Sequence, residues 1–488
     1  MYSENSNSSE EIQNYQNYSS LRNERLQQII MRSQSESSEC NNSENNDQQN
    51  YTELKSMIKE SFQNQNMELL KTNLQKLYCL FQFMNDEDVT VDFVNDISRV
   101  LLPILQIQNL QKEYVMLILS IFTNISSTNG NILPFLTNGV LEAMKHYITV
   151  DDSEIIRMVL TFISNMINQS SEAMFFIFNA GFYEILIQLK DKLISSVSLQ
   201  EAYSWCFCNI CKNPTYKNCD FIRNLIPFAL LNNNTSEAVL IDILWGFYVL
   251  LKNIQFFGML KELNVFEFIF KTMKFKTNRI YQPILKILET YSFEDEKYFD
   301  YFLQLDIFQW IKNVLFDPLL HENNYKLLCF ILSNVVVSSK YRKILCDEKM
   351  IEFLIVSFEN QPETIKAEIK YVILNCIFGS NDNEIYSLCQ IDELYPILGN
   401  FIEKDERLVE LYLGVLIKIE CVGHTCFGKG QNIFLEKMKK AGVMSMIEFY
   451  MNSPCIKISE LATGFYNLMN DLENNQDERR MEIETDFE

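Results

Sequence analysis

Between Tyr51 and residue 470, apolar stretches long enough for helices alternate with short polar gaps, and no period-two strand rhythm interrupts them. The stretch SWCFCNICKN (204–213) closes one such helical pattern, which begins at Leu199. It pairs Trp205 with Asn209 at i and i+4, on one helical face. The same frame recurs along the chain. LSIFTNISST places Asn124, LTFISNMINQ places Asn165, CFILSNVVVS places Asn334 and KYVILNCIFG places Asn375. In LWGFYVLLKN and PILKILETYS the same position is held by Val249 and Thr290. Positions 124, 165, 209, 249, 290, 334 and 375 are spaced by 41, 44, 40, 41, 44 and 41 residues.

A second landmark follows each break: TNGVLEAM, NAGFYEIL, ELNVFEFI, QLDIFQWI, DEKMIEFL, QIDELYPI and KAGVMSMI. Each sets a small or polar residue before an apolar helix start. Two landmarks in fixed phase over seven units predict three-helix repeats with an armadillo or HEAT period. The expected fold is all-α: a right-handed superhelical solenoid of about ten repeats, each burying its apolar faces against its neighbours. The third helix of each unit lines a concave groove, with Asn124 through Asn375 forming a ladder along it.

Composition sets the ends of this array. Residues 1–50 contain 28 Ser, Asn or Gln and read as a disordered segment, and 51–470 as the solenoid. Asp471–Glu488 carries eight acidic residues and two arginines and reads as an acidic, disordered tail. The net charge of −22 and a pI near 4.7 disfavour nucleic acid and anionic membrane and favour basic partners. The start MYSENSNSSEEIQ lacks a basic and apolar leader pattern. The longest apolar run, Ile243–Leu251, is far shorter than a membrane span.

The chemistry of single motifs is thin. Thirteen cysteines without framework spacing suggest a reducing compartment. Cys206, Cys208 and Cys211 point in separate directions on a helix, so they read as buried thiols and not as a metal site. Phosphate-loop, nucleophile-elbow and metal-ligand spacings are not found, and His146, His321 and His424 stand in unrelated contexts, which argues against an enzyme. No cofactor is expected.

These residues resemble importin alpha (karyopherin alpha), whose armadillo repeats carry a W-x-x-x-N pair on the third helix. SWCFCNICKN resembles its fourth repeat. LQKLYCLFQFMNDEDVTVDFVND (Leu74–Asp96) resembles the first, LQKEYVMLILSIFTNISS (Leu110–Ser127) the second, and NIFLEKMKKAGVMSMIEFYMNSPCIKISELA (Asn432–Ala462) the closing tenth. The likeness covers residues 65 to 470 in phase and register, with most individual residues changed.

The resemblance implies a nuclear import adaptor, cytoplasmic and nuclear, monomeric, that holds basic nuclear-localisation-signal peptides of cargo proteins in its groove and is recycled by an export receptor. Each asparagine would clamp peptide backbone through its amide. Tryptophans would wall slots for lysine and arginine stems, and carboxylates would take the charged heads. The matching asparagines are Asn124, Asn165, Asn209, Asn334 and Asn375; the matching tryptophans are Trp205 and Trp245. Phe330 and Tyr371 stand at two further tryptophan positions, Ser120 and Thr161 at two others. Asp242 and Glu368 match groove carboxylates, while Gln169 and Leu327 replace an Asp and a Glu. SLRNERLQQIIMRSQSE (20–36) resembles the end of the family's importin-beta-binding segment. With only Arg22, Arg25 and Arg32 it implies a weak contact with importin beta. The competing reading is an armadillo scaffold that binds some other peptide and takes no part in import.

Overall fold

The computed structural model describes residues 47–81, 89–128, 133–169, 171–212, 219–230, 236–292, 296–428 and 431–469. Every regular element among them is a helix. Arg22, Arg25, Arg32 and the tail from 471 lie outside the described residues. The chain divides into two compact units, 1–250 and 251–488.

One long helix per repeat carries the ladder register: α1 (Met67–Phe81), α2 (Lys112–Ser126), α3 (Ser153–Gln169), α4 (Val197–Cys211), α5 (Glu237–Leu251), α6 (Asn278–Ser292), α7 (Glu322–Val335), α8 (Glu363–Gly379) and α9 (Glu406–Phe427). Shorter helices separate them. Apolar residues cover nearly the whole circumference of α4, where Leu199, Tyr203, Trp205, Cys206, Phe207, Cys208, Ile210 and Cys211 are all buried. A helix that is apolar all round needs neighbours on every side.

Within the first unit those neighbours come from the next repeat. Phe122 packs edge-on to Phe135 at 5.3 Å, and both meet Phe162 at 6.5 and 5.5 Å. Phe207 meets Phe247 at 5.7 Å. That contact is close enough that a Cβ on Gly246 would lie 3.1 Å from the Phe207 ring. In the second unit Phe257, Phe266, Tyr291 and Phe302 form one cluster, and Phe401 stacks on Tyr412 at 4.1 Å. Each fully buried aromatic contributes about 1.5–3 kcal/mol of transfer free energy.

Polar contacts repeat the same spacing. Tyr114 donates to the Met67 carbonyl, 47 residues back, and Tyr147 to the Leu105 carbonyl, 42 back. Lys340 pairs with Asp300 across 40 residues, Tyr450 donates to the Phe401 carbonyl across 49, and Arg342 meets Glu384 across 42. Stacked helical repeats produce this pattern, because each unit touches chiefly the one before and the one after. The described structure is therefore all-helical and solenoid-like within each unit.

The second landmark has a backbone cause. Gly139, Gly181, Asn264, Asp306, Lys349 and Gly442 all have positive φ, between 57° and 92°, immediately before the helix each landmark opens. In this conformation one helix ends and the next begins without an intervening loop. Gly, Asn and Asp tolerate it, hence the small or polar residue in the pattern. Only QIDELYPI departs, opening its helix through a right-handed Glu393.

Lys349 is the strained member of the set, with φ of 58° and a side chain spent only on a loose, exposed 3.6 Å ion pair with Glu352. Lys349→Gly is expected to leave stability unchanged or raise it by up to about 1 kcal/mol. Gly139→Ala, at φ of 81° with Leu102 Cδ2 3.3 Å from the new Cβ, is expected to cost about 1–2 kcal/mol. Equilibrium denaturant midpoints of the two variants check both signs.

Candidate functional site

The asparagine ladder is built between repeats. Asn165 on α3 donates its Nδ2 to the Thr123 carbonyl at 3.4 Å and to Ser126 Oγ at 3.2 Å, both near the end of α2. Asn209 on α4 donates to the Ser164 carbonyl at 3.2 Å and to Ser164 Oγ at 2.8 Å. Asn375 on α8 donates to the Ser333 carbonyl at 3.1 Å, and Asn334 on α7 to Ser292 Oγ at 3.1 Å. Three of these bonds are equivalent in register: each asparagine reaches the carbonyl one residue before the ladder position of the preceding repeat. The Ser333 carbonyl lies in the last turn of α7, where intrahelical partners run out, whereas the Thr123 carbonyl also receives the Ser127 N–H and Ser164 lies inside α3, so there the asparagine is a second donor to the same oxygen.

The neighbouring position repeats the theme with other side chains. Gln169 Nε2 donates to the Thr128 carbonyl at 2.7 Å, so at this position the chain has a neutral amide committed to its own backbone. Lys418 follows Asn375 by 43 residues, the ladder spacing, and donates to the Phe378 carbonyl. Its ammonium also lies 5.2 Å from the Phe378 ring centroid. The spacing of 40–44 residues, extended one unit beyond Asn375 and read without regard to residue type, places Lys418 at the ladder position.

The two tryptophans are not open slots. Trp205 is 1% exposed and carries Lys212 over its ring at 5.2 Å. Lys212 also donates to Asn168 Oδ1, in the equivalent place one repeat earlier. Burial pushes the Lys212 ammonium down to about 8. Trp245 is 7% exposed and meets Tyr248 edge-on at 5.6 Å. Asn209 is 0% exposed; its Oδ1 is buried with no hydrogen-bond partner among the described residues. Asn124 and Asn165 are buried as well, whereas Asn334 and Asn375 are only half-buried.

Of the matched carboxylates, Asp242 is fully buried and its Oδ2 accepts the Ser204 hydroxyl at 2.8 Å, bridging α4 and α5. Glu368 is half-buried; burial raises its carboxyl above the ordinary range, and Lys326 draws it part of the way back. Phe330 and Tyr371 are half-buried, the Tyr371 hydroxyl donating to Asp405 at 2.8 Å. Ser120 and Thr161 are buried, and Leu327 is half-buried.

Cations that sequence reading passed over share these helical faces. Arg157 stands four residues before Thr161, held below its usual value by burial and opposed by Glu154 and Glu201. Lys286 stands at the tryptophan register of α6 and pairs with Glu289 at 2.9 Å. Lys326 stands four before Phe330 and pairs with Glu322 at 2.8 Å. Continuing the i−4 register from the ladder would have found Arg157 and Lys326.

The cysteines of SWCFCNICKN are 0–1% exposed, and burial raises the Cys206 thiol to about 12 and Cys211 well above its ordinary value. Among the described residues no three His, Cys, Asp or Glu side chains come together as a metal site would need. Nor is any single described helix long and apolar enough to cross a membrane.

No family model matches this sequence, and no curated protein matches it. Among solved structures the chain is similar to a crystal structure titled as that of an engineered protein, from the Northeast Structural Genomics Consortium. Identity is 14%, 86% of this chain and 98% of that one are covered, and the TM-score is 0.63. At that identity the likeness shows a shared helical fold and nothing about activity.

Two predictions follow from the ladder's geometry. Asn209→Ala removes the amide donor from the buried Ser164 hydroxyl and takes a second donor from the Ser164 carbonyl, and is expected to cost about 1–3 kcal/mol. Asn375→Ala, half-exposed, should cost less, and paired denaturant titrations rank the two. For Lys212 the folded value near 8 lies below the ordinary lysine value near 10.4. The unfolded chain thus binds more protons between those limits, and stability rises with pH across that window. Lys212→Met is expected to be more stable than the parent at pH 7.5 and to lose that rise, as read from unfolding midpoints between pH 7.5 and 10.

Proposed function

We propose that the chain is a right-handed armadillo solenoid of about ten three-helix repeats and works as a peptide-binding adaptor of the importin alpha type. Its ligands are basic nuclear-localisation-signal peptides of cargo proteins, its setting the cytoplasm and nucleus, with a weak importin beta contact through residues 20–36. The supporting observation is the register of Asn165, Asn209, Asn334 and Asn375. Two amides stand at equivalent places on the neighbouring helices α3 and α4 and two on α7 and α8, Trp205 and Trp245 stand one turn before the ladder position, and Asn334 and Asn375 keep partial exposure. An extended peptide offers one N–H for an amide acceptor every second residue. The acidity of the whole chain favours a basic ligand and speeds its encounter.

A specific observation favours the second reading, a scaffold for a different peptide. Lys212 and Lys418 already lie over aromatic rings, and Arg157, Lys286 and Lys326 bring positive charge to the ladder faces. A basic peptide must displace or avoid them, whereas a peptide bearing acidic residues would not.

Titration of a fluorescent lysine-rich peptide against a neutral peptide of equal length separates the readings. The import reading expects affinity that falls as salt rises. It also expects roughly tenfold tighter binding in Lys212→Ala, whose Trp205 face is uncovered, and roughly tenfold weaker binding in Trp205→Ala. Equal affinity for the neutral peptide, or tighter binding of an acidic one, would hand the groove to the scaffold reading.

A further inference from the structure

One thiol pair stands apart from the chain's other described cysteines. Cys346 lies on the helix Ser339–Asp347 and Cys376 on α8, and their sulfurs approach to 4.0 Å across 30 residues of sequence. Cys376 is fully buried, while Cys346 is half-buried and reachable from solvent. One turn before Cys346, Arg342 is held nearly out of solvent by bonds to the Val336 and Val337 carbonyls at 3.1 and 3.2 Å and by Glu384 at 3.4 Å. The Arg342–Glu384 ion pair thus stands beside the dithiol, its two charges acting on Cys346 in opposite senses. Cysteine thiols elsewhere differ: Cys206 and Cys211 are sealed, and Cys421 and Cys426 are exposed.

We propose that Cys346 and Cys376 are a peroxide-sensitive dithiol that closes to a disulfide between the Ser339–Asp347 helix and α8. A partly exposed sulfur is the point of attack, and a buried sulfur within reach resolves it. The Cys346 thiolate attacks one oxygen of hydrogen peroxide; an S–O bond forms, the O–O bond breaks, and the departing hydroxide takes a proton to become water. Cys376 then attacks the sulfenic sulfur. The S–S bond forms, the S–O bond breaks, and the second water leaves carrying the Cys376 proton. Two thiols are oxidised by two electrons in all, and one peroxide is reduced to two waters. The polarity of the pair agrees with these roles. The contact with Cys376 lowers the Cys346 thiol against the opposing effects of burial, Glu384 and Asp347, with Arg342 a smaller aid, while that same contact and burial raise Cys376 well above the ordinary value. From 4.0 Å the sulfurs reach bonding distance by side-chain rotation and small helix shifts. The link would form next to Asn375, whose amide holds the Ser333 carbonyl, so oxidation would clamp the repeat that carries one rung of the ladder. The chemistry is independent of what the groove binds.

Peptide mass spectrometry without reduction, on the full chain treated with increasing hydrogen peroxide and quenched with N-ethylmaleimide, tests this. The expected product is a cross-linked pair of peptides containing Cys346 and Cys376, two hydrogens lighter than the reduced pair. It should appear before any change at Cys206 or Cys211 and be reversed by dithiothreitol. In Cys376→Ser, Cys346 should accumulate as a sulfenic acid trapped by dimedone. In Cys346→Ser, a change at the half-buried position, Cys376 should stay a thiol. Circular dichroism confirms that each variant remains helical. Recovery of both residues as maleimide adducts while Cys421 or Cys426 oxidises, or linkage of Cys346 to another cysteine, would overturn the proposal.

Discussion

The described structure rests on one recurring interaction: a side-chain amide or hydroxyl of one repeat donating to a backbone carbonyl near a helix end in the repeat before it. A carbonyl oxygen can accept two hydrogen bonds, and in a stack of repeats those near helix ends are shielded from water by the next unit. Asn165, Asn209, Asn375 and Gln169 donate to such carbonyls with amides, Tyr114 and Tyr147 with phenols, and Lys418 with an ammonium. Each such bond is worth about 0.5–1.5 kcal/mol net and has a preferred direction, so the donor also limits how far one repeat can slide or rotate against the next. Apolar packing supplies most of the attraction, yet it is non-directional. The polar bond is what sets register.

That structural duty bears on binding. An amide has two donor hydrogens and one acceptor oxygen, and in Asn165 and Asn209 the donors already point at the preceding helix. What is left for a ligand is the acceptor side. In the first unit it is also covered: Asn209 and Trp205 are sealed, and Lys212 lies across the indole. In the second unit Asn334, Asn375, Phe330 and Tyr371 keep partial exposure, beside Phe378, which is 48% exposed. Peptide recognition through this face would engage the second unit directly and the first only after Lys212 moves.

The helical class and the forty-residue phase were legible because each rests on many residues that vary independently. The second landmark was legible for a local reason, since Gly, Asn or Asp marks a left-handed backbone position whatever surrounds it. Lys349 was the exception that spacing alone located. The chemistry of the ladder face was less readable. Sequence places Trp205 and Asn209 on one face but does not say that α4 is enclosed all round, which depends on residues one repeat away. Lys212 lies just past its helix, and its position over Trp205 follows from how the chain leaves α4. The Cys346–Cys376 approach joins two helices of one repeat through loops of unpredictable path, and no spacing rule announces it.

A double-mutant cycle on Ser164 and Asn209 tests the central claim most directly, because both are buried and meet at 2.8 Å across successive repeats. Denaturant unfolding of the parent, Ser164→Ala, Asn209→Ala and the double variant gives their coupling. A rung that sets register predicts a coupling of about 1 kcal/mol or more, with the double variant losing less than the two single losses together. Additive losses, or an Asn209→Ala loss near zero although that variant removes the amide from both the Ser164 hydroxyl and the Ser164 carbonyl, would mean that the rung does not set register.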